Sequence, residues 1–318
     1  EPDDEAFYGE LKLDQGQFDV VNADASSASL FMNLPIVEDF AATLSLTQRH
    51  QEALVTNTLG GEVYDEELLG GRLKLKWWAN DHLNLTLSAA HEKGQSAGGL
   101  TSEGTNPYLL CAGCSPDPAF DYQIAHNSDS GFESERTLFS ARLNWSFTYF
   151  DVIGLISDQE LTVPYGIGDL DYTSSPVFVA EVSRQFVEQK TAEIRIESND
   201  QTPWNDYLVW VAGAYYLESA GGYDPLFLRF GSNATTTAIP LLASLPDDIT
   251  GPFNQDIALA SDGVLETESL SAFAEATAML PKSIDLSLGL RYDTEARNVV
   301  GSALSAASPG AERRESRQ

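Results

Sequence analysis

Between Arg72 and Ala89 the chain alternates without interruption between two kinds of side chain. Leu73, Leu75 and Trp77 alternate with Arg72, Lys74 and Lys76; after residues 79–82, Leu83, Leu85, Leu87 and Ala89 alternate with Asn84, Thr86 and Ser88. Successive side chains of a strand point to opposite faces, so a period of two predicts a hairpin with one apolar face and one charged or hydroxylic face. Two folds satisfy that demand. One is a soluble sheet lying on a core, and the other is a membrane barrel with lipid outside and water inside.

The same pattern returns along the chain. Ile284, Leu286, Leu288, Leu290 and Tyr292 alternate with Asp285, Ser287, Gly289, Arg291 and Asp293. Phe139, Ala141, Leu143 and Trp145 alternate with Ser140, Arg142 and Asn144, as do Ala192, Ile194 and Ile196 with Glu193, Arg195 and Glu197. Ala42, Leu44 and Leu46 do so with Thr43, Ser45 and Thr47. The chain reads as a series of strands, and the connections between them alternate in length. Short ones fall near 35–39, 80–82, 146–148, 200–206 and 280–283; long polar ones occupy 50–70, 93–135, 160–188, 218–268 and the stretch from 294 on. Several loops beyond about 12 to 15 residues are foreign to a compact soluble domain. Short turns at one end and long loops at the other are the rule in outer-membrane barrels. Trp77, Trp78, Trp145, Phe147, Tyr149 and Trp204 cluster beside the short turns, where an interfacial girdle would sit, although aromatic residues also favour strands generally.

Composition narrows the choice further. No run approaches the roughly 18 apolar residues of a spanning helix, so any crossing is made by strands, each needing only about 9 to 11 residues. A mean hydropathy of -0.20 is compatible with that. The formal net charge of -30, from 48 acidic and 18 basic residues, excludes a phosphate-tracking nucleic-acid surface. The acidic opening, Glu1-Pro2-Asp3-Asp4-Glu5, is unlike a secretion leader, so an export signal is expected outside these residues. Two cysteines are too few for a disulfide framework or a four-ligand zinc site.

Several segments, in order, resemble the barrel region of TonB-dependent outer-membrane receptors. They are Tyr8-Gly9-Glu10-Leu11-Lys12-Leu13-Asp14-Gln15-Gly16, Met32-Asn33-Leu34-Pro35 and Gly70-Gly71-Arg72-Leu73-Lys74-Leu75-Lys76-Trp77. Further along come Trp210-Val211-Ala212-Gly213-Ala214-Tyr215-Tyr216, Ala272-Phe273-Ala274-Glu275-Ala276-Thr277 and the most distinctive, Leu288-Gly289-Leu290-Arg291-Tyr292. The resemblance implies an all-β fold, an antiparallel transmembrane β-barrel of which residues 1–318 are a part, about eleven of about 22 strands. The family's plug domain and terminal aromatic strand are not expected within these residues. It further implies an outer-membrane location in a Gram-negative bacterium, contact with outer-membrane lipid and lipopolysaccharide, and energy-coupled uptake of a scarce extracellular small molecule of the siderophore, cobalamin or glycan class. The energy-coupling TonB complex would engage through the plug region, and no cofactor is implied.

On this reading Arg72, Lys74, Lys76, Arg142, Arg195 and Arg291 line the lumen, opposite the lipid-facing residues. They suit two roles: arginine forks match carboxylate or phosphate groups of a ligand, or they pair with lumen acids such as Glu193, Glu197, Glu275 and Asp285. Cys111 and Cys114 fall in a long external loop and are expected to form a local structural disulfide, with a redox role as the rival. The acidic stretches 129–135 and 247–256 offer oxygen ligands for calcium but lack the EF-hand spacing, so a solvated surface is expected and no metal site is assigned. Two rivals remain: a passive porin-like channel, and a barrel hydrolase using Ser96 of Gly94-Gln95-Ser96-Ala97-Gly98 with His50, His91 or His126. The nucleophile elbow requires a strand-to-helix turn, and a polar loop follows here, so no catalytic residue is expected.

Overall fold

The computed structural model of the chain describes residues 1–97, 122–170, 178–230, 257–280, 284–301 and 305–307. All regular structure among them is β. In chain order the strands are β1 (Tyr8–Phe18), β2 (Ala23–Val37), β3 (Phe40–Gln51), β4 (Thr56–Asn57), β5 (Glu66–Asn80), β6 (Leu83–Ser96), β7 (Gln123–Ile124) and β8 (Gly131–Ser146). There follow β9 (Phe150–Val163), β10 (Gly166–Asp169), β11 (Phe178–Val182), β12 (Gln185–Ser198), β13 (Leu208–Phe230), β14 (Ile257–Leu280), β15 (Ile284–Gly301) and β16 (Ser305–Ala307). Eleven of these, β1, β2, β3, β5, β6, β8, β9, β12, β13, β14 and β15, are long, from 11 to 24 residues. They pair antiparallel with their chain neighbours in one continuous sheet, and the partial barrel wall implied by the resemblance is what the chain forms.

The strands form where side chains alternate because the sheet separates two surroundings, yet it covers no core of its own. Buried hydrophobic side chains among the described residues are only Ala23, Ala41, Ala42, Ile124, Phe186 and Phe227. Ile156 and Ile194 are 59% and 54% exposed although their strands are flanked on both sides, so the apolar face is bare in the middle of the sheet and not only at its edges. A soluble protein does not leave so wide an apolar surface in water, and a bilayer is the surrounding that suits it.

The two ends of the sheet differ as expected. At one end the connections are residues 38–39, 81–82, 147–149 and 199–207; at the other lie 52–65, 97–130, 164–184 and 231–256. One connection departs from the pattern, since residues 19–22 join β1 to β2 at the long-loop end with a tight turn in which Asn22 takes a positive φ of 53°. The short end is knitted together: the Asn199 amide donates to the Phe147 carbonyl at 2.9 Å and to Asp151 at 3.2 Å, while Thr202 Oγ1 donates to the Tyr149 carbonyl.

At the long end the strands run farther than their alternation suggests. β9 stops before Pro164, which has no N–H to give a ladder, and the sheet resumes as β10 on β8. Opposite it, β11 pairs with an extension of β13 beyond Pro225, where the register between β13 and β14 shifts between Tyr223 and Leu226. The Asp224 N–H donates to the Arg184 carbonyl and the Ser183 N–H to the Pro225 carbonyl, so these breaks form one shared crease.

Candidate functional site

Directly paired residues of antiparallel strands share a face. Lys76 is opposite Thr86, and Thr86 opposite Arg142, with Arg72 and Lys74 at two-residue steps from Lys76. Trp78, two residues from Lys76, is opposite Asn84; the row continues through Asn144, Ile153, Arg195, Gly213 and Phe273 to Arg291. All six cations singled out in the sequence therefore stand on one polar face. Leu75, Leu87, Ala141, Ile156, Ala192, Tyr216 and Leu270 make a row of the other face. Trp78 belongs to the polar face with Lys76 Nζ 4.6 Å above its ring, so it is parted from Trp77, Trp145 and Phe147, the first two of which share the apolar face.

The cations divide into two groups. Arg195 lies 3.9 Å from Glu193 and 3.4 Å from Glu197, and Arg291 lies 2.8 Å from Asp293 and donates to Ser271. These two are neutralised within the wall. Lys76 reaches Glu1 at 3.4 Å, and Arg142 Nε donates to Asn144 Oδ1 at 3.1 Å. Arg72 and Lys74 have no ion-pair partner among the described residues. Two further cations, Arg49 and Arg136, share this face by the same register, and among the described residues Arg136 donates to Gln159 alone, at 3.2 Å. Arg49 sits near the end of β3, and Arg136 lies inside β8 but ahead of the stretch whose alternation is legible; pairing partners were the missing information. A hollow of about 280 Å³ opens over Gly70, with Arg72, Arg136, Glu92, Ser45 and Thr47 in its lining. In a chain of net charge -30, the polar face of β3, β5 and β8 is a cationic stripe with two arginines directed at an open hollow.

Residues 1–6 lie against the polar face at its short-turn end. Asn33 is fully buried beneath them, accepting from the Asp3 N–H at 2.9 Å and donating to the Asp3 and Ala6 carbonyls at 2.7 Å.

At the long-loop end, three connections are fused into a cap. β4 and β7 form a short parallel pair, and Asn57 mimics a further ladder step, donating to the His126 carbonyl at 2.9 Å and accepting from its N–H at 3.2 Å. Asp169 of β10 accepts from the Asn127 N–H at 3.2 Å and is buried with His126 and Ser130. Gly131 lies against the Tyr64 ring so closely that no side chain fits there. Burial lowers the His126 pKa from 6.5, because the charged imidazolium loses its hydration. Burial, and then the nearby Glu181 carboxylate, pushes the Tyr165 phenol up to about 12.

The remaining residues of interest are dispersed. Ser96 ends β6 with its hydroxyl donating to Glu66, on a strand and not at a strand-to-helix turn. His91 pairs with Glu135 at 3.4 Å on the apolar face, the opposite side of the sheet from Ser96. Of the acidic stretches, Asp129 accepts the Glu62 N–H at 2.7 Å and Glu133 and Glu135 belong to β8, while 247–256 lie outside the described residues. Cys111 and Cys114 also lie outside them. No helix among the described residues is long and apolar enough to cross a membrane.

No protein-family model matches the chain, and no curated protein matches it in sequence. Solved structures do match. The ferric yersiniabactin uptake receptor of Yersinia pestis superposes with a TM-score of 0.63 at 14% identity over 96% of this chain and 43% of its own. The outer-membrane ferripyoverdine receptor of Pseudomonas aeruginosa gives 0.57 at 13%, covering 97% and 39%. The open form of the ferric-catecholate import receptor of Escherichia coli K12 gives 0.56 at 12%, covering 96% and 51%. The chain thus spans about two fifths to one half of the length of these receptors. Matched along nearly its whole length, it has the fold of a continuous portion of the barrel wall of outer-membrane siderophore receptors.

Proposed function

We propose that this chain supplies part of the wall and the outward connections of a TonB-dependent receptor in the outer membrane of a Gram-negative bacterium, and that the receptor takes up a scarce anionic solute such as a ferric siderophore. The observation that carries this reading is the cationic stripe of Arg49, Arg72, Lys74 and Arg136 on the polar face of a wall whose fold matches siderophore receptors. On this reading the polar face lines the lumen and the apolar face meets lipid. Arg72 and Arg136, at the Gly70 hollow, are placed to offer bidentate forks to carboxylate or catecholate oxygens. Energy would reach the site through a plug and the TonB complex, and the role is transport and not catalysis.

The test is radio-iron uptake by iron-starved cells expressing the full-length protein. Arg72→Glu with Arg136→Glu is expected to lower uptake at least about tenfold, since each charge-assisted contact is worth about 1.5–3 kcal/mol. Unchanged uptake in that variant removes the anionic-ligand reading. Uptake that persists after the proton-motive force is collapsed replaces the energy-coupled receptor with a passive channel.

A further inference from the structure

The geometry points to a divalent transition-metal site at the base of connection 52–65, formed by His50, Asp65 and Glu67. His50 of β3 and Glu67 of β5 are direct cross-strand partners on the apolar face, beyond its hydrophobic rows at the long-loop end. His50 Nδ1 stands 3.3 Å from Glu67 Oε1. Asp65 is held beside them because its Oδ1 accepts the Ala53 N–H at 2.8 Å, which leaves Oδ2 open. One ligand atom from each of the three residues lies within 4.8 Å of the others. Ligands of a metal at about 2.0–2.2 Å stand roughly 3 Å apart, so side-chain torsions alone close this set on a cation.

Charge and chemistry agree with the geometry. Two carboxylates meet here without a lysine or arginine paired to either among the described residues, which leaves a double negative charge for a divalent ion to neutralise. An imidazole with two carboxylates suits zinc-like first-row ions better than calcium or magnesium, which take all-oxygen sets. The His91–Glu135 couple, a diagonal contact between β6 and β8 on the same face, has no third ligand among the described residues, and it serves as an internal control. His50 and Asp65 flank the connection that carries Asn57, so a bound ion would clamp its two ends and stiffen the cap.

Zinc titration calorimetry on the detergent-purified full-length protein tests this. One saturable zinc that His50→Gln and Glu67→Gln each weaken by about tenfold or more, and His91→Gln does not, is the expected result. Zinc should also protect connection 52–65 from proteolysis in the unaltered protein and not in His50→Gln. Saturable binding that neither variant weakens, or no zinc binding by the unaltered protein, overturns the site. Heat-shifted gel migration of each variant establishes that its barrel is folded, so a loss of binding reports on the ligands.

Discussion

His126 is 1% exposed, one of the few buried side chains among the described residues, and that burial lowers its pKa by disfavouring the charged imidazolium. In the unfolded cap the same group titrates near 6.5, so below that pH the open state binds more protons than the closed one. The cap's stability is thus complete above about 6.5 and is lost as pH falls from there toward the lower folded-state value. Protection factors at 56–58 and 124–127, the exchange rates taken relative to the intrinsic amide rate at each pH, should fall on acidification by at most about tenfold per pH unit, and His126→Gln should flatten that dependence. Protection factors that stay constant across this range would show that His126 does not couple the cap to pH. Nothing around His126 in sequence distinguished it from a surface histidine, because its burial depends on Asn57, 69 residues away, and on Asp169 of β10. Arg195 is the contrasting case: the alternation already put Glu193 and Glu197 on its face two residues to either side, and the side-chain geometry brings it to both.

At the scale of the strand, the two faces meet different solvents, and a charge placed on the apolar one has no water to reach. Leu75→Arg or Leu288→Arg, near mid-span, should destabilise the folded membrane-inserted protein by about 2 to 4 kcal/mol in urea titrations from lipid vesicles. A Lys74→Leu change on the polar face should cost far less, and equal effects at Leu75 and Lys74 would show that the faces are assigned wrongly. Strand interiors were legible because alternation is written residue by residue. Strand ends were less so: β13 continues to Phe230 and β14 starts at Ile257, well inside a stretch whose polarity reads as loop. Backbone pairing with β11 and β16 sustains those extensions, and pairing leaves little mark on composition.

In the whole molecule the sheet has two free margins, since among the described residues β1 pairs only with β2 and β15 only with β14. Unpaired N–H and C=O groups along strands of 11 and 18 residues are costly in lipid and adhesive in detergent. The isolated 318-residue chain, refolded into detergent micelles, should therefore associate, and light scattering should find species larger than one chain. A stable monomer with slow amide exchange along β1 and β15 would show that these margins are satisfied in some other way. By itself the sequence determined the period of two, the segregation of cations to one face, the short and long ends and the membrane class, because each follows from local side-chain order. Only the tertiary structure decided which cations stay unpaired around the Gly70 hollow, how Asn57, His126 and Asp169 fuse three connections, and that His50, Asp65 and Glu67 converge. Those depend on register and contact between residues distant in the chain, which strand pairing sets and local order does not encode.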